Sequence, residues 1–186
     1  KAAQKLVYEK AKTGVEREMK KYIRVMAVTF GLGIITTIGG TGSSSGTIQE
    51  EVPATSTKLT VRDVAEGSDG TVYVLGPSQI RTIDAEGILH AFAGGGNSSW
   101  YGGDVAQRES AKFQEMWDFE VARDGTVYIG SSAYIDIAAV ISTDGLVSAL
   151  AGGGPIDADD VLAVEASGNM ARVAVGFGGM VYLADL

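Results

Sequence analysis

The sequence VRDVAEGSDGTVYVLG at residues 61–76 decides the fold, because it occurs in three related copies. MWDFEVARDGTVYIGS occupies residues 116–131, and MARVAVGFGGMVYLAD occupies residues 170–185. Each copy places a turn between two short apolar runs, which is typical of a β-hairpin. The equivalent second-strand tyrosines, spaced 55 and 54 residues apart, are Tyr73, Tyr128 and Tyr182. The repetition predicts three equivalent hairpins.

A second repeated unit accompanies these hairpins. It reads GIITTIGGTG at 33–42, GILHAFAGGG at 87–96 and GLVSALAGGG at 145–154, so its copies begin 54 and 58 residues apart. Turn sequences at Asp69-Gly70 and Glu86-Gly87 separate the short apolar runs. The two units together predict a four-stranded antiparallel meander.

A meander with this period is typical of a β-propeller blade, which buries its two apolar faces against neighbouring blades. The alternative is a two-sheet sandwich, which does not require internal repetition. We predict an all-β fold, an incomplete ring of about three blade equivalents, in which Val64, Phe119 and Val173 are buried between blades. The predicted units of residues 22–186 are a partial blade at 22–40, blades at 60–93 and 116–151, and a partial blade at 169–186.

Residues 1–21 lie outside the repeat and predict an amphipathic α-helix. Its apolar positions recur every four residues, at Ala3, Val7, Ala11, Val15 and Met19. The helix packs on the propeller rim or a neighbouring domain in one interpretation, and docks a partner in another. The apolar stretch from Tyr22 to Ile38 is short and is interrupted by Arg24, so a membrane-spanning segment is not expected.

The repeats resemble those of the NHL family, more closely the Rhs- and teneurin-like subgroup that is associated with YD repeats. The resemblance rests on GIITTIGGTG at 33–42, KLTVRDVAEGSDGTVYVLG at 58–76 and SQIRTIDAEG at 78–87, and it extends over residues 22–185. It implies a non-catalytic protein-binding or structural segment of a larger secreted or surface protein, such as a shell or adhesin. An extracellular or cell-surface location follows from the resemblance. The family's Gly-rich loops are degraded here.

Composition restricts the partners that we expect. The net charge is −8, which argues against nucleic acid and anionic membranes as main partners. There is no cysteine, so disulfides and thiolate metal sites are excluded. The expected partners are a protein or the remaining blades of the same polypeptide. A second copy that closes the ring is an alternative.

The chain offers few residues for catalysis. His90 is its only histidine, and no G-x-S-x-G motif is present, so we predict no catalytic residue and no cofactor. The competing hypothesis is a lyase- or hydrolase-like enzyme whose site lies on the propeller axis and is completed by blades that this chain lacks. Its residues would be Arg62, Asp63, Trp117, Asp118 and Arg172.

Loops between blades supply the predicted binding residues, which are Trp100, Tyr101, Asp157, Asp159 and Asp160. Aromatic residues on loops often anchor a partner, although Trp100 and Tyr101 could equally fill the gap between blades. Acidic residues cluster in all three loops, and the other members are Glu50, Glu51, Asp104 and Glu109. Ca²⁺ binding is the alternative to ordinary solvated loops, but no EF-hand pattern is present.

Overall fold

Short strands that alternate with tight turns make up the computed structural model, which describes residues 25–29, 34–43, 45–131 and 136–185. The strands in its first half are β1 (Val25–Thr29), β2 (Ile34–Gly39), β3 (Val52–Pro53), β4 (Asp63–Glu66), β5 (Val72–Leu75), β6 (Ile80–Ile83) and β7 (Ile88–Ala93). Those in its second half are β8 (Ser98–Ser99), β9 (Ala106–Gln107), β10 (Ala111–Lys112), β11 (Met116–Val121), β12 (Val127–Ser131), β13 (Ile137–Ile141), β14 (Leu146–Gly152), β15 (Met170–Val175) and β16 (Val181–Asp185).

The prediction of an all-β protein built from antiparallel meanders is confirmed. A single 3₁₀ turn at Ala54–Ser56 is the only helical element of the described residues, none of which form a helix that could cross a membrane. The amphipathic helix predicted for residues 1–21 lies outside them.

Two complete meanders occupy the centre of the chain. The first blade has the strand order β4-β5-β6-β7, and the second blade has the order β11-β12-β13-β14. Two antiparallel pairs flank them: β1 and β2 form the leading sheet, and β15 and β16 form the trailing sheet. The leading sheet corresponds to the third and fourth strands of a blade, and the trailing sheet to the first and second.

The three equivalent hairpins share one turn geometry. In each, the glycine at the fourth turn position donates its N–H to the carbonyl three residues earlier, at Gly70, Gly125 and Gly179. These glycines have φ of +85°, +91° and +83°. The tyrosines fall in the same register, with Tyr73 opposite Ala65, Tyr128 opposite Glu120 and Tyr182 opposite Ala174. The equivalence predicted from the repeats is confirmed.

The main hydrophobic core lies at the junction of the two blades. β11 packs against β4 and β5, so the first strand of one blade contacts the first and second strands of the preceding blade. β15 packs in the same way against β11 and β12. The core side chains include Leu75, Ile80, Trp100, Phe113, Met116, Phe119, Val127 and Ile129.

One predicted core position is wrong. Phe119 is 3% exposed and Val173 is also buried, but Val64 is 47% exposed. Each buried residue lies on a first strand that packs against the first two strands of the preceding blade. Within the described residues the leading sheet provides only the third and fourth strands before Val64, so no inner strands cover it.

Each blade carries a fifth strand that the sequence did not predict. β3 pairs with β7, and β9 pairs with β14, so the loop before each blade reaches that blade's outer edge. Val52 lies opposite Leu89, and Ala106 lies opposite Val147. These short strands cover edges that would otherwise expose unpaired N–H and carbonyl groups.

Truncation of Phe119 measures the inter-blade contact. We expect Phe119→Ala to lower the free energy of unfolding by about 3–5 kcal/mol, because it leaves a cavity in the core. The matched control Val64→Ala alters the equivalent but exposed position, and we expect a change of about 0.5 kcal/mol or less. Chemical denaturation of both variants checks this, and equal losses would contradict the packing described here.

Candidate functional site

A row of charged side chains lies on the first strands of the successive sheets. Three of these residues occupy equivalent positions on their strands: Asp63 on β4, Asp118 on β11 and Arg172 on β15. Each lies opposite the second-strand residue two positions after the equivalent tyrosine, namely Leu75, Gly130 and Ala184. Because each first strand packs against the preceding one, the row crosses both blade junctions. It contains three of the five residues of the axial enzyme hypothesis.

Both aspartates of the row bond to the backbone of the following sheet. Val173 donates its N–H to Asp118 Oδ2 at 2.9 Å, and Phe119 donates its N–H to the carboxylate of Asp63. The same link therefore repeats at the two junctions.

The two aspartates also contact each other. Burial raises the pKa of Asp63 above its ordinary value, and its hydrogen bond to Asp118 together with the negative charge of Asp118 raises it further. The N–H groups of Val64 and Phe119 act in the opposite direction, since they stabilise the ionised carboxylate. Protonation of Asp63 is thus easier than that of an isolated aspartate.

The remaining axial residues contact backbone and one another. Arg62 donates from Nη1 to the Met116 carbonyl at 2.6 Å and from Nη2 to Glu115 Oε2 at 2.6 Å. Its guanidinium lies 5.1 Å from the centre of the Trp117 ring, which is partly exposed. Arg172 donates to the Trp117 carbonyl at 3.3 Å. The structure therefore brings together all five residues of the axial hypothesis.

The two aromatic residues predicted to bind a partner have different surroundings. Trp100 is 6% exposed, donates from Nε1 to the Asp104 carbonyl at 2.7 Å, and packs edge-on against Phe113. It fills the gap between the blades, as one of the two interpretations of the sequence held. Tyr101 is 59% exposed and remains accessible to a partner.

The acidic residues predicted to bind lie on the surface of the loop that follows the second blade. Asp157, Asp159 and Asp160 are all exposed, and so are the neighbouring apolar side chains of Leu162 and Val164. In the portion of the chain that the structure describes, no group of three or more His, Cys, Asp or Glu side chains is placed to hold a metal ion.

Two acidic residues of the earlier loops pair with arginines. Arg81, which is buried, donates from Nε to Glu50 Oε1 at 3.0 Å, and Arg108 donates to Glu109 at 2.8 Å. These pairs join loop and blade or stay within the loop, so the carboxylates of Glu50 and Glu109 already have cationic partners. The Ca²⁺ alternative stays a prediction.

His90 has partners that sequence analysis missed. Its Nδ1 lies 2.8 Å from Glu51 Oε1, and its Nε2 lies 2.8 Å from Asp84 Oδ2. The hydrogen bonds to Asp84 and then Glu51 raise the pKa of His90, and the pKa of Asp84 is lowered by the same contact. Glu51 is 39 residues distant in sequence, and only the pairing of β3 with β7 brings it near.

A groove of about 670 Å³ separates the turn of β11 and β12 from the turn of β15 and β16. Tyr128, Arg123 and Phe177 are among its lining residues. At the corresponding junction between the first and second blades, Ser68 donates its hydroxyl to the Arg123 carbonyl at 2.8 Å. The groove is not one of the sites predicted from the sequence.

Comparison with known proteins adds information on the fold alone. No protein family matches the chain, and neither does any curated protein. One similar solved structure is a structural genomics protein of unknown function from Bacteroides thetaiotaomicron VPI-5482, with 19% sequence identity and a TM-score of 0.59. The match covers 87% of this chain and 39% of that chain, so this chain spans about two fifths of the longer protein. The NHL- and Rhs-like resemblance stays a prediction.

Replacement of His90 tests its pairing through pH. Since its folded pKa is raised, protonated His90 contributes stability below its unfolded pKa, and that contribution is lost as the pH rises through the folded pKa. Asp84, whose pKa is lowered, loses its contribution only at acid pH. We expect His90→Gln to lower the melting temperature most near about pH 5.5 and least near about pH 9. A difference that is constant over this range would contradict the pairing.

Proposed function

We propose that this chain is a non-catalytic, structural and protein-binding propeller segment of a larger secreted or surface repeat protein, as its resemblance to NHL and Rhs-like repeats implies. One observation gives the proposal its main support: polar side chains of the axial residues form hydrogen bonds with backbone groups of the adjacent sheet. Such side chains connect one sheet to the next.

The distribution of polar contacts distinguishes a structural axis from an active site. Catalytic groups must be within reach of a substrate atom, and they need donor or acceptor positions that the substrate can use. Asp118 accepts from Val173, and Arg62 uses two nitrogens on Met116 and Glu115. These contacts support a role in holding the first strands together.

Loops are the expected place for partner contacts, because the strands are occupied with neighbouring strands and sheets. Tyr101 is the exposed aromatic residue of the loop between the blades. The loop after the second blade adds exposed Leu162 and Val164 beside the aspartates at 157, 159 and 160. An apolar surface with an acidic rim fits a protein partner whose own rim is basic.

The axial enzyme remains the second candidate, and one observation favours it. Two carboxyl groups that share a hydrogen bond, one with a raised pKa, are a common arrangement in acid–base catalysis. The blades needed to complete such a site would come from outside this chain. In the structural candidate Asp118 holds the next sheet through the Val173 N–H, and in the enzyme candidate it takes part in acid–base chemistry with Asp63. Substitutions of Asp118 separate the two candidates.

Two substitutions of Asp118 test the structural role. We expect Asp118→Ala to lower the free energy of unfolding by about 1–2 kcal/mol, because the Val173 N–H loses its acceptor. Asp118→Asn keeps an acceptor oxygen and should stay closer to the wild type. Asp157→Ala, in the exposed loop, is the control and should change stability by about 0.5 kcal/mol or less. Equal stability of the alanine and asparagine variants would contradict the structural role.

Partner capture tests the binding role. With the chain immobilised and exposed to solubilised cell-surface proteins, we expect Tyr101→Ala to weaken retention of a specific partner about tenfold, since exposed aromatic anchors often contribute this much. Trp117→Ala removes the partly exposed axial aromatic residue and serves as the matched control. Loss of binding with Trp117→Ala and none with Tyr101→Ala would favour the axial site instead.

A further inference from the structure

The groove between the second blade and the trailing sheet is a local opening next to a closed contact. Beside it, β15 packs against β11 and β12, and Val173 donates its N–H to Asp118 Oδ2 at 2.9 Å. One wall of the groove is residues 120–124 with Tyr128, and the other is the turn at residues 175–179. The space therefore lies between two sheets that are already joined.

The corresponding place at the junction of the two complete blades is bridged by small side chains. Ser68 in the first blade's turn donates its hydroxyl to the Arg123 carbonyl at 2.8 Å. On the strands beside that turn, Ala65 lies opposite Tyr73, and both pack against the main hydrophobic core.

Two differences between the repeats accompany the opening at the second junction. The register of the hairpins makes Glu120 equivalent to Ala65 and Arg123 equivalent to Ser68. The hydroxyl that bridges the first junction is thus missing from the second. Long charged side chains stand there in place of the two small ones, and they line the groove.

Aromatic and carboxylate groups line this groove together. Glu120 on β11 and Tyr128 on β12 are direct cross-strand partners, so their side chains lie on the same face of the second blade. Phe177 provides a second aromatic ring from the facing turn. Asp124 provides a second carboxylate, and hydrogen bonds from the Thr126 N–H and hydroxyl hold its pKa below the ordinary value, so it is ionised at neutral pH.

This lining is complementary to a guanidinium group. The carboxylates of Glu120 and Asp124 outnumber the one cationic group, Arg123, so the groove attracts a cation. Aromatic faces also attract cations, and a planar guanidinium both stacks on a ring and pairs with a carboxylate through two N–H groups. The volume of about 670 Å³ is within the range of sites that enclose a small molecule, which leaves room for the residues beside an arginine.

We propose that this groove binds an arginine side chain that an extended segment of a protein partner presents. The guanidinium stacks on the ring of Tyr128 or Phe177 and pairs with the Glu120 carboxylate, while the residues beside the arginine contact the turn at 175–179. The net charge of −8 favours the approach of a basic segment. The groove does not include the loop residues considered above, such as Tyr101, so this proposal does not rest on the function proposed there.

A peptide with blocked ends, in which glycines flank one central arginine, tests the groove without any other charge. We expect an NMR titration of the isotope-labelled chain to shift the amide signals of Gly176, Gly178 and Gly179, with a dissociation constant of about 1 mM or lower. Citrulline in place of the arginine keeps the size of the side chain but removes its charge, and it should weaken binding at least about tenfold. Unchanged glycine signals at about 10 mM peptide, or equal binding of the two peptides, would overturn the proposal.

Matched variants separate the groove from general attraction to an acidic chain. Glu120→Gln removes a charge from the groove and should weaken binding of the arginine peptide at least about fivefold. Glu66→Gln removes the same charge from an exposed position outside the groove and should change the affinity by less than about twofold. Phe177→Leu keeps an apolar side chain without the aromatic face and should weaken binding about two- to fivefold.

Circular dichroism shows whether each variant is folded, so a loss of affinity can be assigned to the groove. Equal effects of Glu120→Gln and Glu66→Gln would mean that the peptide responds only to net charge, and the proposal would be wrong. Tyr101→Ala should leave the affinity for the arginine peptide unchanged. Failure of this proposal is therefore distinguishable from failure of the loop as a partner site.

Discussion

The sheets of this protein need cover on both faces, and that requirement governs the rest of the structure. Four of the five side chains of β13 are buried, as are three of the four of β6, so neither strand has a solvent face. A single meander cannot supply this cover, because each of its faces is as apolar as the other. Neighbouring blades supply it instead, and the spacing of the repeat along the chain follows from the size of one covered sheet.

Where two sheets meet at their first strands, polar side chains form hydrogen bonds with the backbone across the junction. Asp63 and Asp118 accept these bonds, and Arg62 and Arg172 donate to carbonyls across the same junctions. A group of carboxylates, guanidinium groups and an indole ring near a propeller axis resembles a ligand site in composition. In this protein several of these groups form hydrogen bonds that connect one sheet to the next.

The sequence predicted those features that depend on local pattern. The turn glycines and the tyrosine register follow from residues a few positions apart, and the structure has both. The exposure of Val64 could not be predicted, because it depends on which strands precede it in space and not on its own strand. The sequence left the burial of Trp100 open and missed the pairing of His90 with Glu51, for a related reason. Both result from a loop that runs to the outer edge of the following blade, and no local pattern encodes that path.

In each described contact between sheets, the first strand of the later sheet packs on strands of the earlier one. This order bears on how the protein folds during synthesis. A ribosome releases the N terminus first, so when β11 emerges, the surface of β4 and β5 that receives it has already been synthesised. The acceptor carboxylate for each new first strand likewise precedes it. The edge strands follow the opposite order, since β9 must wait for β14 before it can pair. During synthesis, each blade would therefore pack its first strand on the preceding blade early. The edge strand of the same blade would pair last, after the fourth strand has been made.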